Sequence, residues 1–294
     1  MSSYPAPARA LVDAMTAAAA AEPARAVAFQ GAPGAYSHQA VREALPDALP
    51  LPCFSFEEAV DAVIEGRAAR AMLPVENNLH GRVADVHVLL PESGLAVVGE
   101  HSVKVEHCLL GLPGTTIAGI RTAMSHPQAL GQTRKTCKRL GLRQQSAADT
   151  AASAAAIVEA GDPTVAAIAS RLAAELYGCT ILLENIQDQD SNTTRFLLLQ
   201  PTAVEPAADA PVKTMLVFEV KHIPAALFKA LGGFATNGVN ISRLESHLVG
   251  NFSGAAFLLD IEGHPRDPAV ARALEELAFH SKWVRLLGSW ALKG

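Results

Sequence analysis

Several features that mark common protein classes are scarce in this sequence. Aromatic residues make up only 5% of the 294 residues, and the formal net charge of −5 is spread along the chain rather than gathered in blocks. A nucleic-acid-binding protein typically carries a basic stripe that follows the phosphate backbone, and this pattern is missing here. The acidic balance still permits an anionic small-molecule ligand, because a local pocket can be positive within an acidic protein.

Cysteine is also scarce, and its spacing excludes two kinds of site. The four cysteines, Cys53, Cys108, Cys137 and Cys179, form no CxxC pair, which argues against a structural zinc site and a thioredoxin-like motif. The histidines of the first half form no HExxH pattern. We therefore expect no bound metal, no cofactor, and four reduced thiols in a cytoplasmic protein.

Long apolar runs are missing as well. No stretch approaches the roughly 20 apolar residues that a membrane span needs. The alanine run at residues 17–21 follows Asp13 and Thr16, so it lacks the continuous apolar core of a secretion signal. We expect residues 1–24 to form a helix or a loose tail, with no membrane and no nucleic acid as partner.

What the sequence does contain is an alternation of short apolar segments and helical segments. We predict strands over residues 25–30, 70–75, 95–99, 103–110, 120–124, 164–169 and 195–199, and helices over 39–45, 56–65, 128–140, 149–160 and 169–177. This alternation predicts an α/β fold with parallel sheets. Ligands bind such sheets at the carboxyl ends of strands, where polar clusters occur at residues 31–38, 76–81 and 125–128.

A second pattern begins after a proline- and alanine-rich segment, residues 201–212, which is typical of a linker. Residues 213–294 predict strands at 213–220, 239–248, 252–261 and 284–292, with helices at 225–236 and 270–278. That order is βαββαβ, the ferredoxin-like arrangement, and Asn237-Gly238 is a suitable cap for its first helix. Such a domain leaves sheet edges that a partner copy can cover, so we expect a homodimer or homotetramer.

The segment 188–199 joins a polar run containing one arginine to an apolar strand. One interpretation is a strand start whose Thr and Asn side chains supply turn hydrogen bonds. The other is a functional pair, in which the cation holds an anionic substrate and a hydroxyl donates a proton. The spacing alone leaves both open.

Four blocks of the sequence resemble those of the prephenate dehydratase family. Residues 192–196, Asn-Thr-Thr-Arg-Phe, resemble its Thr-Arg-Phe signature with the upstream asparagine. The other blocks occur in the family's order: the glycine loop at 29–37, a Pro-Val-Glu-Asn block at 73–78 with Gly81, and Ser-His-Pro-Gln at 125–128 with Gln132. The resemblance implies a two-lobed catalytic domain over residues 25–200, similar to type II periplasmic binding proteins.

Carried over position by position, the resemblance implies a set of site residues. The catalytic set is Thr194, Arg195, Ser125 and Gln132, and the substrate-binding set is Gly31, Gly34, Tyr36, Ser37, Glu76, Asn77, Asn78, Asn192 and Phe196. Asn78 departs from the family, which usually has Ser or Thr there. Loss of carbon dioxide and water aromatises the ring of prephenate, so the reaction needs no redox cofactor. It needs a proton donor at the departing hydroxyl, for which we expect Thr194, and fixed dipoles around the anion.

The glycine loop allows two interpretations. Because it precedes a predicted helix, its backbone N–H groups could meet an anion at the helix N-terminus. Alternatively, it is an ordinary βα turn.

The C-terminal segment resembles the ACT domain that accompanies these enzymes and binds L-phenylalanine for feedback inhibition. Residues 224–228 and 244–247 match its Gly-Ala-Leu and Glu-Ser-Arg-Pro motifs, with Ala225, His247 and Leu248 in place of Gly, Arg and Pro. The implied L-phenylalanine site consists of Ala225, Ala226, Leu227, Asn237, Glu245 and Ser246. The alternative is a domain that only dimerises.

Three functions therefore stay open on the sequence. The first is conversion of prephenate to phenylpyruvate in L-phenylalanine biosynthesis, regulated by L-phenylalanine. The second is the same reaction on arogenate, which has an amino group in place of the keto group. The third is a non-catalytic small-molecule-binding protein on the same two-lobed architecture.

Overall fold

The computed structural model describes residues 4–207, 210–249 and 254–292. They form two compact units: one contains the chain up to Val86 together with Glu100–Leu197, and the other contains His87–Gly99 together with the chain from Leu198 onward. The segment His87–Gly99 thus groups with the C-terminal unit, which the sequence patterns did not indicate. Among the described residues, no helix is long and apolar enough to cross a membrane.

The region up to residue 200 alternates strands and helices, as the apolar pattern predicts. In chain order the strands are β1 (Ala26–Gln30), β2 (Leu49–Cys53), β3 (Arg70–Asn77), β4 (Gly81–Arg82), β5 (Ala96–Lys104), β6 (Cys108–Gly111), β7 (Thr122–Ser125), β8 (Arg143–Ser146), β9 (Val165–Ala169), β10 (Thr180–Leu183) and β11 (Thr193–Gln200). The α-helices are α1 (Ala6–Ala21), α2 (Tyr36–Ala44), α3 (Phe56–Ile64), α4 (Ala84–Glu92), α5 (Pro127–Gln132), α6 (Arg134–Arg139), α7 (Thr150–Ala160) and α8 (Arg171–Tyr177).

These strands make two sheets, one for each lobe. The first has the order β2-β1-β3-β11-β5, with β4 paired to β3, and the second has the order β10-β6-β9-β7-β8. The pairs of β1 with β2 and β3, and of β7 with β8 and β9, are parallel, as predicted. β6 pairs antiparallel with β9 and β10, and β4 pairs antiparallel with β3, so the sheets are mixed rather than wholly parallel. β11 comes last among these strands yet lies beside β3, so the chain returns to the first lobe. That return brings residues 193–200 next to residues 70–77.

Several boundaries differ from the predicted ones for identifiable reasons. The helix predicted at 128–140 is broken at Thr133, whose hydroxyl donates to the carbonyl of Ala129 at 2.8 Å, giving α5 and α6. β8 was not predicted because Arg143–Ser146 is exposed along its whole length and has no apolar alternation. Ser55 caps α3, since its side chain accepts from the N–H of Glu58. All four cysteines are free thiols.

The C-terminal unit contains the predicted βαββαβ order. Its elements are β12 (Val212–Val220), α9 (Ala226–Thr236), β13 (Ile241–Val249), β14 (Gly254–Glu262), α10 (Pro268–His280) and β15 (Ser281–Ala291). The sheet order is β13-β14-β12-β15 with antiparallel pairs. Its core includes Phe218 from β12, Phe234 from α9 and Leu277 from α10, all buried. The edge strands are β13 and β15.

Candidate active site

Because β11 lies beside β3, Asn77 at the end of β3 meets Thr194 near the start of β11. The Nδ2 of Asn77 lies 2.9 Å from the Oγ1 of Thr194 and 2.7 Å from the Oδ1 of Asn192. The Oδ1 of Asn77 accepts the backbone N–H groups of Leu79 and His80 at 3.0 and 3.1 Å. Those two donors fix the orientation of the carboxamide, so Asn77 donates and Thr194 accepts. The hydroxyl hydrogen of Thr194 is therefore directed toward some other acceptor.

A small cavity adjoins this hydroxyl. Its volume is about 100 Å³, and it is lined by Tyr36, Asn77, Val105, His107, His126, Gln128, Ala129, Gln132, Thr150 and Thr194. Tyr36 and Thr194 come from elements of the first lobe, whereas Gln132 and Thr150 come from helices of the second. Residues of all four blocks singled out in the sequence thus line one cavity, and Gln132 is among them.

A second cavity, of about 300 Å³, shares Gln132 with the first. It is lined by Leu79, His80, Gly131, Gln132, Lys135, Gln187, Asp188, Gln189 and Asn192. Among the described residues that line the two cavities, Lys135 is the only lysine or arginine. Asn192, expected at the site, is 1% exposed and lines this second cavity.

A hydrogen-bonded chain of side chains positions Gln132. The Oε1 of Gln132 lies 2.6 Å from the Nε2 of His107, and the Nδ1 of His107 lies 2.9 Å from the hydroxyl of Tyr36. Burial lowers the pKa of His107 below its ordinary value, so the ring is neutral at pH 7 and carries one hydrogen. A neutral ring donates through one nitrogen and accepts through the other. It can therefore bridge Tyr36 and Gln132 without bringing a charge into the small cavity.

Arg195 and Glu76 lie on the other face of the strands. Successive side chains of a strand alternate between faces, so Arg195 points away from the face of Thr194, and Glu76 away from that of Asn77. The Nε of Arg195 lies 2.6 Å from a carboxylate oxygen of Glu100, and its Nη1 lies 3.7 Å from one of Glu76. The side chain of Arg195 is 15% exposed. These contacts favour a role for Arg195 in orienting the pocket over the contact with an anionic substrate that the sequence suggested.

Ser125 is placed differently from the expectation. It is fully buried, lines neither cavity, and its hydroxyl donates to the carbonyl of Ile168 at 2.6 Å. The hydroxyl hydrogen therefore links β7 to β9 rather than facing a substrate. The cavity wall next to it is formed by His126 and Gln128 instead.

The glycine loop packs against the protein rather than around a ligand. Gly34 has a φ of +94°, and a Cβ there would lie 2.8 Å from the Cα of Ala173. The carboxylate of Asp149, which caps α7, lies beside this loop: a Cβ at Gly31 would lie 3.3 Å from its Oδ2. The anion at this loop is thus an internal carboxylate. Of the four loop residues expected to bind substrate, Tyr36 lines the small cavity, whereas Gly31, Gly34 and the buried Ser37 line neither cavity.

The remaining two substrate-binding candidates have structural contacts. The backbone N–H of Thr193 donates to the Oδ1 of Asn78 at 2.9 Å, and the Nδ2 of Asn78 donates to the carbonyl of Ser191. Asn78 therefore ties the end of β3 to the start of β11 and so supports the position of Thr194. Phe196 is 1% exposed and belongs to the core.

Sequence reasoning missed Lys135, His80 and His107 as residues of the site. Lys135 follows Gln132 by three residues, and in the single helix predicted at 128–140 that spacing puts both on one face. That spacing was a usable signal. The histidines gave none, because only the tertiary structure brings His80 and His107 to the same glutamine.

The residues expected to bind L-phenylalanine lie at separate places within one chain. Ala225 has a left-handed φ of 61° just before α9, and Ala226 and Leu227 begin that helix. Asn237 lies at its other end, where its Nδ2 lies 3.0 Å from Glu276. Eleven helical residues span about 16 Å, so these two groups are far apart along α9. Glu245 and Ser246 lie on the edge strand β13.

A model of the family "Prephenate dehydratase" matches residues 27–203. The chain belongs to the prephenate dehydratase family. The matched range contains Thr194, Asn77 and both cavities, so the family region and the site described above coincide. The two-lobed fold is that of this family, which resembles type II periplasmic binding proteins. Membership makes the chain a lyase of the dehydratase type, acting in aromatic amino acid biosynthesis.

Individual relatives of the prephenate dehydratase family extend the match along the chain. A bifunctional N-acyl-homoserine lactone acylase/prephenate dehydratase of Komagataeibacter europaeus is 49% identical over 267 residues, which cover 90% of this chain and 95% of the relative. Arogenate dehydratase/prephenate dehydratase 1 of Arabidopsis thaliana is 38% identical over 281 residues, covering 90% of this chain and 72% of the relative.

A solved structure matches the fold. The prephenate dehydratase of Arthrobacter aurescens, crystallised in complex with L-Phe, is 32% identical to this chain with a TM-score of 0.83. The match covers 91% of this chain and 90% of that chain, so it includes the C-terminal unit as well as the catalytic region.

Proposed function

We propose that this protein is a prephenate dehydratase that converts prephenate to phenylpyruvate, carbon dioxide and water in L-phenylalanine biosynthesis. The observation that carries the proposal is the hydroxyl of Thr194, which accepts from Asn77 at 2.9 Å and lines a cavity formed by both lobes. A hydroxyl held in this way has its hydrogen available for an oxygen that enters the cavity.

The reaction follows from that geometry. The hydrogen of Thr194 moves to the departing ring hydroxyl as the carbon–oxygen bond breaks, which releases water. The electron pair of the carbon–carbon bond to the ring carboxylate flows into the ring, which releases carbon dioxide and completes the aromatic system. Overall the prephenate dianion takes up one proton and gives the phenylpyruvate monoanion, so solvent must return a proton to Thr194. Neutral threonine does not titrate near pH 7, so its contribution is position rather than acidity.

Thr194 needs fixed neighbours to act in this way. Asn77 supplies a dipole whose direction is set by two backbone N–H groups, and it stabilises negative charge that develops on the Oγ1 of Thr194. The ion pair of Arg195 with Glu100 holds the opposite face of β11. Both contacts are made by groups of the protein itself, and fixed dipoles of this kind need no reorganisation during the reaction.

Arogenate is the second candidate substrate. The Arabidopsis relative carries both activities in its name, and arogenate differs from prephenate only by an ammonium group in place of the keto group. Asp188 lines the larger cavity, so a carboxylate is present that could meet an ammonium group. The comparison of the two substrates on the same enzyme preparation decides between them.

We also infer that the C-terminal unit is an ACT domain that binds L-phenylalanine. Its βαββαβ order, its two motif-like segments and the L-Phe complex of the Arthrobacter structure support this. Exposed apolar side chains on this unit, including Phe228 at 80%, Phe279 at 73% and Leu248 at 62%, support assembly into a homodimer or homotetramer. In such an assembly the separated residues Ala225 and Glu245 could complete sites with a partner copy.

The decisive experiment uses the purified full chain with prephenate and follows phenylpyruvate by its absorbance. Product formation that depends on Thr194 supports the proposal, and no product from the wild-type protein with prephenate or arogenate ends it. An N-acyl-homoserine lactone assayed in parallel addresses the acylase activity named for the Komagataeibacter relative. Calorimetry with L-phenylalanine tests regulation; no heat and no inhibition would reduce the C-terminal unit to an assembly module.

A further inference from the structure

The geometry points to the larger cavity as the subsite for one particular substrate carboxylate, with Lys135 as its cationic contact. That carboxylate is the one on the substrate's side chain, which the product keeps. The inference rests on the proposed function, and it assigns a binding residue that none of the four sequence blocks contains.

A dianionic substrate needs positive charge or hydrogen-bond donors where it binds, since an uncompensated buried charge is very unfavourable. Arg195 is poorly placed for this, because two carboxylates already face it and it lines neither cavity. The small cavity beside Thr194 contains only neutral donors and histidines, one of them held neutral by burial. Among the described residues that line the two cavities, Lys135 remains as the lysine or arginine available to a substrate carboxylate.

The backbone around Lys135 is held in a fixed relation to Gln132. The backbone N–H of Lys135 lies 3.1 and 3.2 Å from the two carboxylate oxygens of Asp188. The backbone N–H of Asp188 in turn donates to the carbonyl of Gln132 at 2.6 Å. The side chain of Lys135 is flexible, but its backbone is fixed next to Gln132, which lines both cavities.

Asp188 is the group that opposes an anion in this cavity. Both of its oxygens lie within hydrogen-bond distance of the backbone N–H of Lys135 at the start of α6. Its negative charge reduces the net attraction for a carboxylate and makes the contribution of Lys135 more important.

Asn192 supplies a second, independent observation. Its Oδ1 accepts from Asn77, whereas its buried Nδ2 has no hydrogen-bond acceptor among the residues that the structure describes. A buried amide without a partner is unfavourable, and buried polar groups in proteins are nearly always hydrogen-bonded. Because Asn192 lines the same cavity as Lys135, an anionic oxygen bound there would satisfy this donor.

The chemistry of the reaction identifies which carboxylate belongs here. The ring carboxylate loses its charge as it becomes carbon dioxide, so a cation in contact with it would stabilise the reactant more than the transition state and slow the reaction. The side-chain carboxylate keeps its charge throughout, so a cation there strengthens binding without raising the barrier. In prephenate the side chain lies across the ring from the hydroxyl, and the cavity beside Thr194 shares Gln132 with the cavity that contains Lys135.

The test compares Lys135→Met with the wild-type protein and with Lys138→Met. Lys138 lies on the same short helix, is exposed and lines neither cavity, so it is the matched control. We expect Lys135→Met to raise the KM for prephenate on the order of 10- to 100-fold with kcat within about threefold, because uniform binding is lost. The inhibition constant of phenylpyruvate should rise by the same factor, since the product keeps this carboxylate. Lys135→Arg should retain part of the affinity, and Lys138→Met should change neither constant.

Two outcomes overturn the inference. One is an unchanged KM in Lys135→Met with unchanged thermal stability. The other is a lower kcat with an unchanged inhibition constant for phenylpyruvate, which would place Lys135 at the departing group. If the wild-type protein turns over neither prephenate nor arogenate, the proposed function fails. The role of Lys135 as a carboxylate contact is then tested separately, by calorimetric binding of phenylpyruvate to the wild-type protein and to Lys135→Met. Equal affinities, or no binding to either, reject it.

Discussion

The amide nitrogen of Asn77 donates to the hydroxyl oxygen of Thr194 across 2.9 Å, and these two residues are 117 positions apart in the sequence. The contact exists because β11 returns from the second lobe and lies beside β3. It fixes the hydroxyl as an acceptor on one side and a donor on the other, and the proposed chemistry depends on this arrangement.

Replacing Thr194 tests that chemistry directly. Thr194→Ala should lower kcat by roughly 10²–10⁴-fold, the usual range for a proton donor, with a smaller change in KM. Thr194→Ser keeps the hydroxyl and should retain most of the activity, so it controls for packing. Steady-state kinetics with prephenate measures both, and near-wild-type turnover in the alanine variant would remove Thr194 from its assigned role.

Arg195 should behave as a positioning residue. Arg195→Lys keeps the charge but loses the geometry of the contact to Glu100, so we expect the free energy of unfolding to fall by about 1–2 kcal/mol. The KM for prephenate should change much less than in Lys135→Met. Urea unfolding and steady-state kinetics measure the two effects. A KM increase as large as that of Lys135→Met, with unchanged stability, would instead indicate that Arg195 contacts the substrate directly.

His38 should make stability depend on pH. Burial, aided by the nearby Arg42, lowers the pKa of His38 to about 4, and its Nδ1 accepts the N–H of Gly34 at 3.0 Å. The unfolded chain binds this proton near pH 6.5, whereas the folded protein does not. The contribution of neutral His38 to the free energy of unfolding is therefore fully present above pH 6.5. It falls by about 3 kcal/mol as the pH decreases toward 4.

Urea unfolding between pH 7 and pH 4 measures this loss. His38→Gln removes the titrating group, so its stability should decline less over the same range. Parallel curves for the two proteins would assign the pH dependence to other groups.

Asp188 should influence the choice between substrates. Asp188→Asn removes the carboxylate that could pair with the ammonium of arogenate and that repels a carboxylate in the same cavity. The ratio of kcat/KM for prephenate to that for arogenate should therefore rise, by about tenfold if the effect is near 1.4 kcal/mol. Asp190→Asn, two residues away and exposed, is the control. An unchanged ratio would place the substrate side chain away from Asp188.

Ala225 carries backbone strain that a substitution can relieve. Its φ of 61° lies in the left-handed region, which costs an L-residue roughly 1–2 kcal/mol. Glycine removes this strain, but its more flexible unfolded chain lowers the free energy of unfolding by about 0.5–1 kcal/mol. Ala225→Gly should therefore raise the free energy of unfolding by up to about 1 kcal/mol. Ala226→Gly, in the first turn of α9, should lower it. Thermal or urea unfolding distinguishes the two, and a destabilised Ala225→Gly would contradict the strain.

Local sequence patterns were sufficient to predict most helices and strands, but they did not predict which residues contact one another at the candidate active site. The βαββαβ order and the cap at Ser55 follow from apolar periodicity and capping chemistry, which act between residues near in sequence. Alternation also implies that Thr194 and Arg195 face opposite sides of one strand, but the identity of the residues on each side does not follow from it. The contacts of Arg195 to Glu100 and Glu76, and of Ser125 to Ile168, depend on which strands become neighbours.

The sequence by itself determined the two α/β regions, the family-like blocks and the candidate hydroxyl, because these depend on residue type and short-range spacing. Only the tertiary structure decided that the glycine loop packs beside Asp149, that Ser125 is buried and that Lys135 is the cation beside the cavity. The physical reason is that burial and charge pairing are properties of neighbours in space. Strand order sets those neighbours, and a return such as that of β11 leaves no mark in local periodicity.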